Sequence, residues 1–381
     1  VTYLQSPNGP APRLPSLTGM RFVAAALVFL FHASLLAAVK FNPYQDSGAA
    51  QLFQSIFSKA GWLGVSFFFV LSGFVMTWSA RADDSAGGFI RRRLLKIYPN
   101  HFFTWLLMMV CMGNVFVDPR VWLSNLLLLQ SWVPRPEVFM GVNSPSWSLC
   151  CELLFYLAFP WLNQRIARIP AGRLWPCAAA AVLALFAVQL AVDSWVPATP
   201  KGPGLPISLQ QWWLSYFFPP LRMFEFVLGM LMARILRAGK WPDLGLLPAA
   251  GLLLGGYLLA REVPFLYGLS TATVIPVALL ITAAAAADAQ RRPTGFNGRR
   301  MVWLGEVSFA FYMVHMLVLD LASAWLDGRR FEPATATLVV LAAFLASLLA
   351  GWLLYALVER PVMRYWSRPR AAAVRLQSAD A

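Results

Sequence analysis

The sequence predicts an all-α polytopic membrane protein with about ten transmembrane helices and both termini in the cytoplasm. Three observations predict it. Hydrophobic residues make up 59% of the 381 residues and charged residues only 13%, about half the charged share of a soluble domain. Ten stretches are apolar over about the 20 residues that a helix needs to cross a bilayer. The Lys and Arg residues between those stretches fall mainly on one side, as they do in cytoplasmic loops. The same arithmetic excludes an ordinary soluble enzyme and a disordered chain.

The stretches follow in order. The first, 19–39, has a basic flank, but it carries Arg21 and His32, which a cleavable signal core would avoid. The second, 61–80, bears Gly61, Gly64 and Gly73 and offers two faces for close helix packing. The third, 100–117, follows the basic run Arg91-Arg92-Arg93-Leu94-Leu95-Lys96. The apolar run from Val121 to Val133 is short, and is expected at the interface or as a re-entrant segment. The fourth, 146–163, opens with Ser144 as an N-cap and Pro145 at the first helical position. Then come 175–195, 216–237, 244–260, 266–287, 301–325 and 334–358.

With the N-terminus inside, 21 Lys and Arg residues fall on the cytoplasmic side and 8 outside. Arg21 and Arg222 lie within or at the edge of spans. The net charge of +14 is therefore a topology signal, and no nucleic-acid partner is expected. Cys111, Cys150, Cys151 and Cys177 lie in or beside apolar stretches without zinc-ligand spacing, so reduced packing cysteines and no metal site are expected. The chain is expected to form one membrane-embedded domain over 1–381, multi-pass in the cell membrane. A cytosolic tail covers 1–16 and a basic cytosolic tail covers 360–381. External segments 118–145 and 196–215, rich in Pro, Trp and Gly, are candidates for a lid or pocket mouth.

An ionisable residue inside a span marks a functional-site hypothesis. These are His32, Glu152, Arg222, Glu225, Glu306, His315 and Asp320, with Arg21 at the cytosolic edge. Arg21 and His32 are eleven residues apart, so they share a helix face and lie about 16 Å apart in rise. Glu152 is expected near the depth of His32, with Ser148 one turn before it. His315 is either a second site histidine or a structural partner of Glu225 or Asp320. Arg222 and Glu225 are spaced for an intrahelical ion pair. His101 is expected at a cytosolic helix start, solvated. The basic run ending at Lys96 serves topology, a phosphate-bearing substrate, or both. There is no Walker loop, dinucleotide fingerprint, G-x-S-x-G elbow or H-E-x-x-H.

These residues resemble the acyltransferase family 3 integral membrane proteins. The likeness starts at Leu17-Thr18-Gly19-Met20-Arg21 with its spacing to His32. It continues through Gly64 to Phe74, Arg93 to Pro99, Ser146-Trp147-Ser148-Leu149 with Glu152, Arg222 to Gly229, Gly305 to His315, and Glu359-Arg360-Pro361. The resemblance implies transfer of an acyl group from a coenzyme A donor to a hydroxyl, with His32 catalytic and Arg21 beside it. The family's R-x-x-R motif falls on Arg93 and Lys96, where lysine keeps the charge but loses the guanidinium fork.

A mechanism follows as an expectation. His32 acts as general base on the acceptor hydroxyl, oriented by Glu152. Arg21, Arg93 and Lys96 hold the phosphates of acyl-CoA, a co-substrate, and no bound cofactor is invoked. Ser148, Arg222, Glu225 and His315 are further site or support candidates. A covalent route through Ser66, Ser72 or a cysteine is less favoured. The bias of 26 Arg against 5 Lys suggests a high-GC actinomycete genome, where the resemblance to a stand-alone family member implies a macrolide or its sugar as acceptor. Alternatives are O-acetylation of an envelope glycan, and a transporter or flippase.

Overall fold

The computed structural model describes residues 12–36, 41–81, 84–113 and 118–366. Among these, all regular secondary structure is helical, apart from the isolated bridges Tyr44–Phe331 and Lys201–Ser208. The helices are α1 (Pro15–Ser34), α2 (Ser47–Phe57), α3 (Ala60–Ser79), α4 (Ala86–Cys111), α5 (Pro119–Leu126), α6 (Pro136–Phe139), α7 (Trp147–Ala167) and α8 (Leu174–Trp195). They continue with α9 (Leu209–Trp212), α10 (Pro219–Arg237), α11 (Leu246–Glu262), α12 (Thr271–Ala289), α13 (Arg299–Leu326), α14 (Pro333–Leu354) and α15 (Arg360–Trp366). Two π-helical turns, Trp213–Phe217 and Tyr355–Glu359, precede α10 and α15.

Six helical stretches among the described residues are long and apolar enough to cross a membrane: Pro15–Ser34, Ser47–Ser79, Ala171–Trp195, Thr271–Ala289, Arg299–Leu326 and Pro333–Trp366. The other four expected stretches are also helical, as α4, α7, α10 and α11, but are shorter or more polar. α11 has 17 residues, α4 begins with the basic run, and α10 holds Arg222, Glu225, Arg234 and Arg237. Bilayer chemistry explains the all-helical solution, because a helix satisfies its own backbone groups where no water can.

α3 occupies the middle, packed by α1, α10 and α12. Its glycines permit the close crossing with α10. A Cβ on Gly73 would strike the Phe226 carbonyl, and one on Gly229 would strike the Val70 carbonyl, so only small residues fit on both sides. The outer helices α8 and α14 turn Leu183, Leu190, Leu338 and Leu345 outward, as lipid-facing surfaces require. α1 lies along α13, where Gly305 meets the Thr18 carbonyl.

Several expectations need correction. Ser144 is not a side-chain cap: Ser144–Ser146 form a 3-10 turn and α7 starts at Trp147. α1 ends at Ser34, short of the expected residue 39, which puts His32 in its last turn. His101 is fully buried, with Nε2 at 3.0 Å from the Asn125 carbonyl oxygen, because α4 starts fifteen residues earlier and α5 packs on it. The apolar run after residue 120 forms α5 and a 3-10 turn at Gln130–Trp132. The segment 118–145 is tied in by polar side chains: Asn125 Nδ2 and Gln130 Nε2 both donate to Ser146 Oγ, at 2.9 and 3.1 Å. The first part of the expected C-terminal tail, 360–366, is helical. Residues 1–11, Lys40 and the tail beyond 366, with Arg368, Arg370 and Arg375, lie outside the described residues. The four cysteines are free, and Cys150 and Cys151 are buried.

Candidate active site

Helices α1, α3, α4, α7 and α13 enclose a cavity of about 170 Å³. Each contributes polar groups to a mostly apolar wall. α1 supplies Arg21, α3 Ser72, α4 Arg93 and Lys96, α7 Ser148, Glu152 and Tyr156, and α13 Tyr312. Sequence spacing explains the alignment on α7, where Ser148, Glu152 and Tyr156 recur every four residues and so share one face. Ser72 Oγ donates to Glu152 Oε2 at 2.9 Å. The guanidinium of Arg93 lies over the Phe89 ring, 5.3 Å from its centroid. Lys96 forms an ion pair with Glu359, which also accepts from Asn100 Nδ2.

A second polar group begins at the wall of that cavity. Ser148 Oγ is 2.9 Å from the Tyr312 hydroxyl, and both donate toward the Pro145 carbonyl, each at 3.0 Å. One turn along α13, His315 Nδ1 is 2.6 Å from the carbonyl oxygen of Tyr312. His315 Nε2 is 3.0 Å from His32 Nδ1. α1 and α13 run side by side from the Thr18–Gly305 contact, and this brings the two rings to a centroid distance of 5.1 Å. His315 is fully buried against Phe29, Phe311 and Tyr312, whereas His32 is half-buried.

The pair fixes its own tautomer. A carbonyl can only accept, so His315 Nδ1 carries the proton that it donates to Tyr312. A neutral His315 then accepts at Nε2, and His32 Nδ1 is the donor. His32 Nε2 is left with the basic lone pair.

The sequence-predicted residues therefore divide. Arg21, Arg93, Lys96, Ser148 and Glu152 meet in the cavity. His32 and His315 meet each other. The expected contact of Glu152 with His32 is not formed: Glu152 bonds Ser72, and His32 bonds His315. His315 pairs with neither Glu225 nor Asp320. Arg222 and Glu225 form the expected ion pair, 2.8 Å long, with side chains 1% and 0% exposed, away from the cavity. Arg222 Nη2 also reaches Ser66 Oγ at 3.5 Å, so Ser66 is a packing partner of that pair.

Tyr312, Asn100 and Glu359 were not among the expected site residues, although Tyr312 and Glu359 stand in blocks that carry the family resemblance. Tyr312 stands three residues before His315, and that spacing was the available signal. Glu359 sits one residue past the predicted end of the last span, so its carboxylate was not among the membrane charges.

Comparison with known proteins adds independent support. Residues 14–356 match the family described as an acyltransferase domain. The chain is 41% identical over 374 residues to Acyltransferase MdmB of Streptomyces mycarofaciens, which covers 95% of this chain and 94% of that protein. It is 27% identical over 325 residues to the exopolysaccharide production protein ExoZ of Rhizobium meliloti, covering 82% of this chain and 93% of that protein. It is also similar to the peptidoglycan O-acetyltransferase OatA of Listeria monocytogenes, 22% identical over 402 residues, covering 92% of this chain and 56% of that protein. No solved structure matches. A match from α1 to the end of α14, over helices that suit a bilayer, means that this membrane protein belongs to acyltransferase family 3.

Proposed function

We propose that the protein moves a short acyl group from acyl-CoA to a hydroxyl of a macrolide or its sugar, with His32 as general base. The observation that carries this reading is the series from the Tyr312 carbonyl through His315 to His32, which leaves His32 Nε2 unprotonated. Nε2 takes the hydroxyl proton as the acceptor oxygen attacks the thioester carbonyl. The carbon–sulfur bond then breaks, and the CoA thiolate takes up the proton from the imidazolium. His315 is the orienting partner in this scheme. Glu152, hydrogen-bonded to Ser72, belongs to the donor cavity together with Arg21, Arg93 and Lys96.

The size of the cavity supports a division of labour. At about 170 Å³ it is below the roughly 300–1,000 Å³ of sites for whole drug-sized ligands. It suits a thin acyl–pantetheine arm, and the bulky acceptor then approaches His32 from the other end. The rise from Arg21 to His32, about 16 Å, is of the order of that arm. The likeness to a Streptomyces acyltransferase and the excess of Arg over Lys support the macrolide reading. The likeness to a peptidoglycan O-acetyltransferase favours an envelope glycan as the second reading. The charge asymmetry and the helical character of all ten stretches support ten crossings of the cell membrane, with both termini in the cytoplasm.

The test is acyl transfer in membranes from labelled acetyl-, propionyl- and isovaleryl-CoA to a panel of macrolide and glycan acceptors. Wild type should transfer, and His32→Ala should lose about 10²- to 10⁴-fold in rate. Full activity in His32→Ala would overturn the general-base role, and transfer to glycans alone would select the second reading.

A further inference from the structure

A second cavity, of about 450 Å³, adjoins the first and shares Arg21 and Lys96 with it. Its remaining charged walls are Glu306, Glu359, Arg360 and Arg364. Four cations thus face two carboxylates. Both carboxylates are already engaged: Glu359 holds Lys96 and Asn100, and Glu306 Oε2 accepts from the Tyr355 hydroxyl at 3.3 Å. Arg360 and Arg364 are exposed and form no salt bridge among the described residues. The guanidinium of Arg364 lies over the Tyr365 ring, 5.8 Å from its centroid.

The backbone explains this arrangement. The π-helical turn Tyr355–Glu359 ends with Glu359 buried against α4, and the next residue, Arg360, starts α15 on the open side. Arg360 and Arg364 are four residues apart on α15 and so line one face. Arg91 Nη2 donates to the Trp366 carbonyl at 2.7 Å and fastens the far end of α15 to α4. Two like charges at this spacing repel, whereas a phosphate between two guanidinium forks is held by charge-assisted, bidentate hydrogen bonds.

We propose that this second cavity binds the phosphates of a nucleotide-bearing acyl donor, with Arg360 and Arg364 as anion contacts and Glu359 as a resident counter-ion that yields Lys96 to the ligand. The proposal rests on the acyl-CoA reading above. Its geometric basis is the shared wall. A narrow, mostly apolar cavity and a wider cationic one meet at Arg21 and Lys96, which matches a ligand with a thin arm at one end and phosphates at the other. Anionic lipid headgroups present the same phosphate chemistry, so the experiment must separate the two sources.

The full chain is placed in nanodiscs of phosphatidylcholine alone, and adenosine 3′,5′-bisphosphate is titrated by calorimetry. Wild type is expected to bind it, and the bisphosphate is expected to compete with acetyl-CoA. R360Q/R364Q should weaken binding and raise KM for acetyl-CoA, each by about tenfold or more, with kcat and the KM for acetyl-pantetheine unchanged. R299Q/R300Q removes the same charge elsewhere on the basic surface and should leave both constants as in wild type. Glu359→Gln keeps an acceptor for Asn100 but releases Lys96, so it should bind the bisphosphate more tightly. Normal bisphosphate binding by R360Q/R364Q would overturn the cavity assignment, as would a defect seen only when phosphatidylglycerol is present. Weaker or equal binding by Glu359→Gln would overturn the counter-ion role. A wild-type protein that turns over acetyl-pantetheine but no acyl-CoA would overturn the donor reading itself.

Discussion

Two of the ion pairs among the described residues have a buried carboxylate, and their surroundings differ in one respect. Arg222 and Glu225 lie on the same helix, with side chains 1% and 0% exposed. The Arg222 guanidinium is held between the rings of Phe69 and Tyr216, 5.2 and 4.8 Å from their centroids. No cavity described above reaches it. Lys96 and Glu359 come from α4 and the π-helical turn, and the Lys96 side chain is 29% exposed on the wall of two cavities. A charge enclosed on all sides cannot change partner, so it can only hold helices together. A charge with one open side can exchange its partner for a ligand. The histidine pair combines both conditions, because His315 is enclosed and His32 is half-open.

The enclosed pair gives the largest expected effect. Arg222→Met removes the salt-bridge partner of Glu225 and leaves a buried carboxylate without that counter-charge. Breaking one side of a buried pair costs about 3–5 kcal/mol. The variant should accumulate poorly and lose thermal stability in detergent. Arg222→Met with Glu225→Leu should recover most of that loss, since an apolar pair of similar volume is often neutral. If the single variant melts with wild type, the pair is not structural and the comparison fails.

The mixed pair comes next. His315→Gln keeps a polar side chain but loses the ring that links the Tyr312 carbonyl to His32 Nδ1. Partners that orient metal-bound histidines typically contribute about 10–100-fold, and His315 is expected to contribute on that order to His32. The expected outcome is a fall of that size in kcat with KM for acyl-CoA held, because His315 does not line the donor cavities. An equal rise in KM would place His315 with donor binding instead.

Much of this was legible in the sequence, and the reasons are physical. Helix positions followed from apolar length, because a bilayer leaves the backbone few options. The Arg222–Glu225 pair followed from its spacing on one helix. The cavity cations lie among the charges placed beside apolar runs, and the family resemblance singled out Arg93 and Lys96 within the basic run. Contacts between helices were another matter. His32 was expected to find Glu152 because both were placed at one depth by counting residues, but a count along each helix does not say which neighbour a side chain meets: His32 bonds His315 and Glu152 bonds Ser72. Glu359 was missed as a site residue because it stands one residue past the apolar run, at the end of the π-helical turn that carries it onto α4. Ser72, weighed only as a nucleophile, proved to be the partner of Glu152 through the crossing of α3 with α7, which no spacing along one helix encodes.

The open pair should show the smallest change in stability. Lys96→Gln removes a charge but leaves an amide able to donate to Glu359, and Asn100 still donates from the other side. Water reaches the lysine side chain, so screening already weakens the attraction. Glu359 is buried, with its side chain 2% exposed, but it keeps two amide donors, so the variant should melt closer to wild type than Arg222→Met does. This sets a threshold for the comparison. A loss as large as that of Arg222→Met would mean that Lys96 is as tightly bound to its partner as Arg222 is. Glu359 could not then yield it to a ligand, and the open side of the pair would have no consequence.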